Sequence, residues 1–259
     1  MSEEQKSIEE IYLDFKTAGG LTRSSELAAA TSVDQIKAGF LQTVARVKSL
    51  DGDGPFHDGG RKPMREILER KSKRKDGDVP TGHDLAASIW EQHHCRVEGN
   101  LELDFFYVDR EVTTNRTVVD GKAIYEAGTK ISADLLLANS TVGDFTPIVG
   151  EVKVRDDQNA FYALVQALAA AAQLSSPQKR ARLQTSYPDY FGEKELSQVD
   201  VYVVSYSPVQ KGKSPELYEA ALALANELTS TDALSEWVRK IVFLEAKMTE
   251  GALTFKQSE

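Results

Sequence analysis

The chain has 259 residues, 41% hydrophobic and 27% charged, and its 31 Lys and Arg against 40 Asp and Glu give a formal net charge of -9. That length buries one good core with room for an appendage, and no apolar run approaches the roughly 18–20 residues that span a bilayer, so no membrane partner is expected. The acidity excludes a global attraction to nucleic acid, so any polyanion contact has to come from a local basic patch.

The opening residues, MSEEQKSIEE, are acidic where a secretory signal is basic and then apolar, which predicts a cytoplasmic protein. Cys95 is the single cysteine and can neither close an internal disulfide nor build a CxxC zinc cluster.

Residues 8–17 and 33–50 predict helices packed on one another, the second with Ile36, Phe40, Val44 and Val47 near a helical period. Four glycines and a proline in 51–60 mark a loop. Residues 61–75 then hold eight basic and two acidic side chains with a narrow apolar stripe of Met64, Ile67 and Leu68, which predicts a basic helix. Its charges read either as a solvated face or as a phosphate-contacting surface made by Arg61, Lys62, Arg65, Arg70, Lys71, Lys73, Arg74 and Lys75. Residues 1–80 form an N-terminal helical region on this reading, and 81–259 a second unit.

Residues 83–99 predict an amphipathic helix with Asp84 as its N-cap. The period then changes to strands over 101–112, 131–140 and 144–154, with an added hairpin turn at 118–123. Alanine content and the stripe Phe161, Leu164, Val165, Leu168 and Ala172 return 157–174 to helix, and 199–209 is an apolar strand stopped by proline. A helix over 214–230, a strand over 241–248 and a partner strand over 253–257 complete an α/β fold with a mixed sheet flanked by helices.

Side chains alternate along a strand, so Glu151 and Lys153 share one face. Asp134 lies in the apolar run ISADLLL, where an ionised carboxylate is costly without a partner. The short connection at 139–146 makes the strands of Asp134 and Glu151 antiparallel neighbours, within reach of one small hard cation, Mg2+ or Mn2+. A second ExK, Glu245-Ala246-Lys247, lacks both the upstream aspartate strand and the downstream helix and reads as surface alternation. His93 and His94 are adjacent on the predicted helix and diverge, while His57 and His83 lie beside loops. Neither a nucleophile elbow nor a phosphate loop is present.

Gly128 six positions before Asp134, a hairpin, the run Gly150-Glu151-Val152-Lys153 and a following helix with Gln166 resemble the PD-(D/E)xK nuclease superfamily over residues 83–206. The resemblance implies a restriction-endonuclease-like αβββαβ core that hydrolyses DNA, duplex or single-stranded, with Mg2+. It also implies Asp134 and Glu151 as metal ligands, Lys153 at the attacking water and Gln166 as a further catalytic side chain. In such proteins the first helix often adds an acidic ligand, which here falls on Glu91, with Glu98 second. Cutting both strands requires a homodimer or sequential nicking, and an RNA substrate stays open. The alternative is a protein that keeps the fold for binding or assembly without turnover.

Overall fold

The computed structural model describes residues 5–47, 56–57, 63–71, 81–119, 122–125, 128–139, 145–154, 159–192, 195–206, 214–249 and 252–258, with the backbone alone at 70, 118, 119, 123 and 249. The first half of the chain forms helices α1 (Ile8–Thr17), α2 (Leu21–Ala30), α3 (Val33–Val47), α4 (Met64–Lys71) and α5 (Gly82–Gln92), then short strands β1 (His94–Cys95) and β2 (Val97–Glu98) and strand β3 (Phe105–Thr113). A separate hairpin follows, β4 (Arg116–Val119) on β5 (Lys122–Tyr125), and then β6 (Ser132–Asn139) and β7 (Pro147–Val154). Helices α6 (Ala160–Leu174), α7 (Pro177–Ser186) and α8 (Pro188–Phe191) lead to β8 (Val199–Tyr206), α9 (Pro215–Ser230), β9 (Val238–Thr249) and β10 (Ala252–Gln257). None of the described helices is long and apolar enough to cross a membrane.

Eight strands form one mixed sheet in the order β1-β3-β6-β7-β8-β9-β10-β2. The β3–β6, β6–β7 and β9–β10 pairs are antiparallel, while β7–β8 and β8–β9 are parallel and joined through α6 and α9. Alternation along β8 divides the core: Val201 and Val203 face α6 and α9, while Tyr202 and Val204 face α5. Helix α4 packs on α5, with Met64 against the α5-side core and Ile67 buried. The protein therefore has helices on both faces of one sheet.

The N-terminal helices belong to the α6 side of this core. Ser7 and Glu10 cap α1 reciprocally, the Glu10 amide donating to Ser7 Oγ and the Ser7 amide to Glu10 Oε2. Glu9, on the next position, is buried and accepts from Thr43 and Arg46 of α3 and Gln173 of α6, a polar tie among three helices. Gly39 lets α3 approach the start of α1, since a Cβ there would lie 2.8 Å from the Lys6 carbonyl oxygen and 2.9 Å from the Ile8 nitrogen.

The helix expected over 83–99 stops at Gln92. Its N-cap is Thr81, and Asp84 is the third helical residue, accepting from the Thr81 amide in a capping box rather than serving as the cap. His93 takes a positive φ of 61° as the C-cap, which sends His94 and Cys95 to pair with β3 and Val97 and Glu98 to pair with β10. One residue separates β1 from β2, yet they join opposite ends of the strand order, so the sheet curls around α5. Gln92 reinforces this closure, its amide donating to the Leu253 carbonyl and accepting from the Leu253 N–H, each at 3.1 Å. Cys95 is buried within the curl, and burial pushes its thiol up to about 12, which leaves it unreactive at neutral pH.

Candidate functional site

The β6–β7 ladder runs from Ala138–Pro147 to Leu135–Gly150 and ends there. Asp134 and Glu151 are the next residues on the two strands, and their carboxylates take up the amides that the ladder leaves over. The Val152 N–H donates to Asp134 Oδ2 at 2.9 Å, and the Asp134 N–H donates to Glu151 Oε1 at 3.2 Å. Alternation along β7, with Val149 toward α6 and Val152 toward α5, puts Glu151 and Lys153 on the α6 side.

Glu151 is fully buried, and its second oxygen, Oε2, has no hydrogen-bond partner among the described residues. Burial first, and then the neighbouring Asp134 charge, hold the Glu151 carboxyl well above the ordinary carboxylate range, with Lys153 pulling the other way. Two carboxylates in contact, one of them sealed from water, need either a shared proton or a cation between them. An oxygen-only donor pair with one orphaned lone-pair site suits a hard divalent ion.

Lys153 is 6% exposed, with its ammonium 5.0 Å from the centre of the Tyr162 ring. Gln166 sits one turn further along α6, half-buried, and its amide donates to the Ser132 carbonyl at 2.9 Å. That bond ties α6 to β6 two residues before Asp134, so Gln166 aligns the aspartate strand. Asp134, Glu151, Lys153 and Gln166 therefore gather where β6, β7 and the first turns of α6 meet.

Glu91 does not join them. It is exposed at the end of α5, which packs on the opposite sheet face, and Glu98 is exposed on β2 at the sheet margin. Among the described residues no group of three or more His, Cys, Asp or Glu is arranged to hold a metal ion. The separation follows from which face of the sheet α5 covers: Leu85 and Ile89 pack on the side of Tyr202 and Val204, whereas Asp134 and Glu151 lie on the α6 side.

The basic segment is only partly described. Arg61, Lys62, Lys73, Arg74 and Lys75 lie outside the described residues, as does the side chain of Arg70. Arg65 pairs with Glu69 at 3.6 Å on the solvent side of α4, and Lys71 turns inward to donate to Ser88 Oγ on α5 at 2.6 Å. Lys71 thus serves the packing of α4 on α5. Of the cations nearer the acidic pair in sequence, Lys122 and Lys130 are exposed, and Arg155 is outside the described residues.

Sequence reasoning passed over Tyr162, although a signal for it exists. Every residue of α6 is buried except Tyr162 and Gln166, which are four apart and so share one face of an otherwise enclosed helix. The histidines form no joint site: His94 stacks on Phe106, His83 faces Glu111, and His57 Nε2 lies 2.8 Å from Asp109 in a cluster completed by Tyr187.

Comparison with protein-family models, with curated proteins and with solved structures returned no match for this chain.

Proposed function

We propose that this chain is a divalent-metal-dependent nuclease with a PD-(D/E)xK, restriction-endonuclease-like core, acting on DNA phosphodiester bonds. One observation carries the reading: a fully buried Glu151 with an orphaned oxygen lies against Asp134 at the end of the β6–β7 ladder, with Lys153 two residues on along the same strand face. The order α5, β3, β6, β7, α6, β8 supports it.

Asp134 and Glu151 are the residues that would hold Mg2+ or Mn2+. Two protein carboxylates suffice, because Mg2+ keeps several waters and completes its shell with substrate phosphate oxygens. Such an ion, when bound, lowers the pKa of a coordinated water and polarises a phosphoryl oxygen. Lys153 offsets negative charge at the phosphate and orients the attacking water, while Gln166 keeps the Asp134 strand in place through Ser132. Phosphate contacts along the duplex or single strand fall to the basic residues of 61–75 other than Lys71.

A binding or assembly protein that keeps this fold without turnover is the second reading, and the net charge of -9 favours it. Incubating the purified protein and its Glu151→Gln variant with plasmid and with oligonucleotides, in Mg2+ and in EDTA, separates the two. Cleavage that needs both Mg2+ and Glu151 supports the nuclease; retention of DNA without cleavage supports the binder.

A further inference from the structure

We infer that Tyr162, backed by Tyr12 of α1, is the positioning residue that aims Lys153 at the acidic pair. The consequence for catalysis rests on the nuclease reading above; the geometry stands apart from it. A buried ammonium loses its water, and its four-carbon stem has many rotamers, so an aimed lysine needs a fixed electronegative surface. The Tyr162 ring supplies one, with Lys153 Nζ 5.0 Å from its centre.

Tyr162 is itself held from two directions. Its N–H donates to Asn159 Oδ1 at 2.8 Å, which fixes the first turn of α6, and its ring stacks on Tyr12 with centres 5.5 Å apart and planes 10° from parallel. Tyr12 is 4% exposed and carries the Lys16 ammonium 5.6 Å from its own ring centre. Lys153, Tyr162, Tyr12 and Lys16 thus form a stack of two rings with a cation at each end, reaching from β7 to α1. Through it the N-terminal helix takes part in shaping the site. In an alanine-rich helix that is otherwise buried, an aromatic on the only open face marks a position set by what it faces.

The test compares Tyr162→Phe, which keeps the ring face, with Tyr162→Leu, which removes it, and Tyr12→Leu, which removes only the backing. The first readout is independent of turnover: the side-chain methylene resonances of Lys153 are displaced upfield by the ring current of a neighbouring aromatic face. That displacement is expected in the wild type and in Tyr162→Phe, and is expected to vanish in Tyr162→Leu. In cleavage assays Tyr162→Leu is expected to lower kcat about thirtyfold with KM and the Mg2+ half-saturation unchanged, the size of a desolvated cation–ring interaction. Tyr162→Phe should stay near wild type and Tyr12→Leu should fall between. Backbone amide spectra confirm that each variant folds. Lys153 resonances that ignore the loss of the ring overturn the proposal, as does an equal loss of kcat in Tyr162→Phe and Tyr162→Leu. A wild type that cleaves nothing refutes the nuclease reading alone, because the resonances still judge the positioning.

Discussion

Asp134 and Glu151 are cross-tied: the Asp134 amide donates to the Glu151 carboxylate, and the amide following Glu151 donates to the Asp134 carboxylate. Each acid is thereby oriented by the backbone of the strand that carries the other. The pair is preorganised, and that separates it from two surface acids that happen to be close.

The isosteric variant Glu151→Gln is expected to abolish Mg2+-dependent cleavage while the metal-free protein is as stable as the wild type or more so. It replaces a carboxyl whose ionised form is disfavoured by burial and by the Asp134 charge, without opening a cavity. Mg2+ at about a hundred times its dissociation constant should add about 2.7 kcal/mol to the wild type and nothing to the variant. Thermal unfolding with and without Mg2+ measures both; equal shifts in the two proteins would remove Glu151 from the ligand set.

The pH dependence has a definite sign. Glu151 in the native protein keeps its proton well above the ordinary value of 4.5, whereas in the unfolded chain it titrates there. Across that window the native state binds more protons than the unfolded one, so the stability this group contributes is present at low pH and lost as pH rises from about 4.5 through the raised value. Metal-free wild type is therefore expected to lose stability relative to Glu151→Gln as pH climbs, and Mg2+, which replaces the proton, should restore more at higher pH. Unfolding midpoints of the two proteins across that range, with Mg2+ and with EDTA, check it. A gap that stays constant with pH contradicts it.

Much of this architecture was legible in the sequence. The strands of Asp134 and Glu151, the alanine-rich helix behind them and the late helix and two strands all lie within a few residues of where periodicity places them, because long apolar patterns determine which face is buried. Three features were not. Helix α2 buries little beyond Ser24 and Ala28 and has no strong stripe, and α7 is dominated by polar residues. The end of α5 depends on a positive φ at a histidine, a backbone choice that hydrophobic pattern does not encode. The acidic pair could be anticipated from strand alternation, whereas Glu91 could not be placed, since its position depends on which sheet face the first core helix covers.

Salt dependence of DNA binding tests the basic segment, and the structure sharpens the choice of residues. Replacing Arg70, Lys73 and Arg74 by Gln is expected to lower the slope of log affinity against log salt by ~0.9 for each duplex phosphate that is no longer neutralised. Lys71 is left in place because its bond to Ser88 secures α4; Lys71→Met should instead cost about 1 kcal/mol of stability and leave the slope alone. Binding titrations at several salt concentrations decide this. Slopes that do not move in the triple variant assign the segment to solubility and turn attention to Lys122, Lys130 and Arg155.

Glu9→Ala is expected to lower the unfolding free energy by about 2–3 kcal/mol, since it strips a buried acceptor from Thr43, Arg46 and Gln173 at once. Denaturant titration checks the value. Because Tyr12 lies one turn further along α1, the same variant should also weaken the stack on Tyr162, and the Lys153 methylene resonances should report it.

The curl of the sheet has a consequence for how the chain reaches its native state. Gln92 and Leu253 are 161 positions apart, and β1 and β2 need partners from opposite margins of the sheet, so the segment around 94–98 acts as a clasp that shuts only when β10 has taken its place. A loop of that size costs more entropy to close than the local pairings of β6 with β7 or β9 with β10, and pairings of such high order slow folding. Until the clasp shuts, Phe105, Leu244 and Phe255 have no complete enclosure, and aggregation during refolding is expected to begin from that partly closed species.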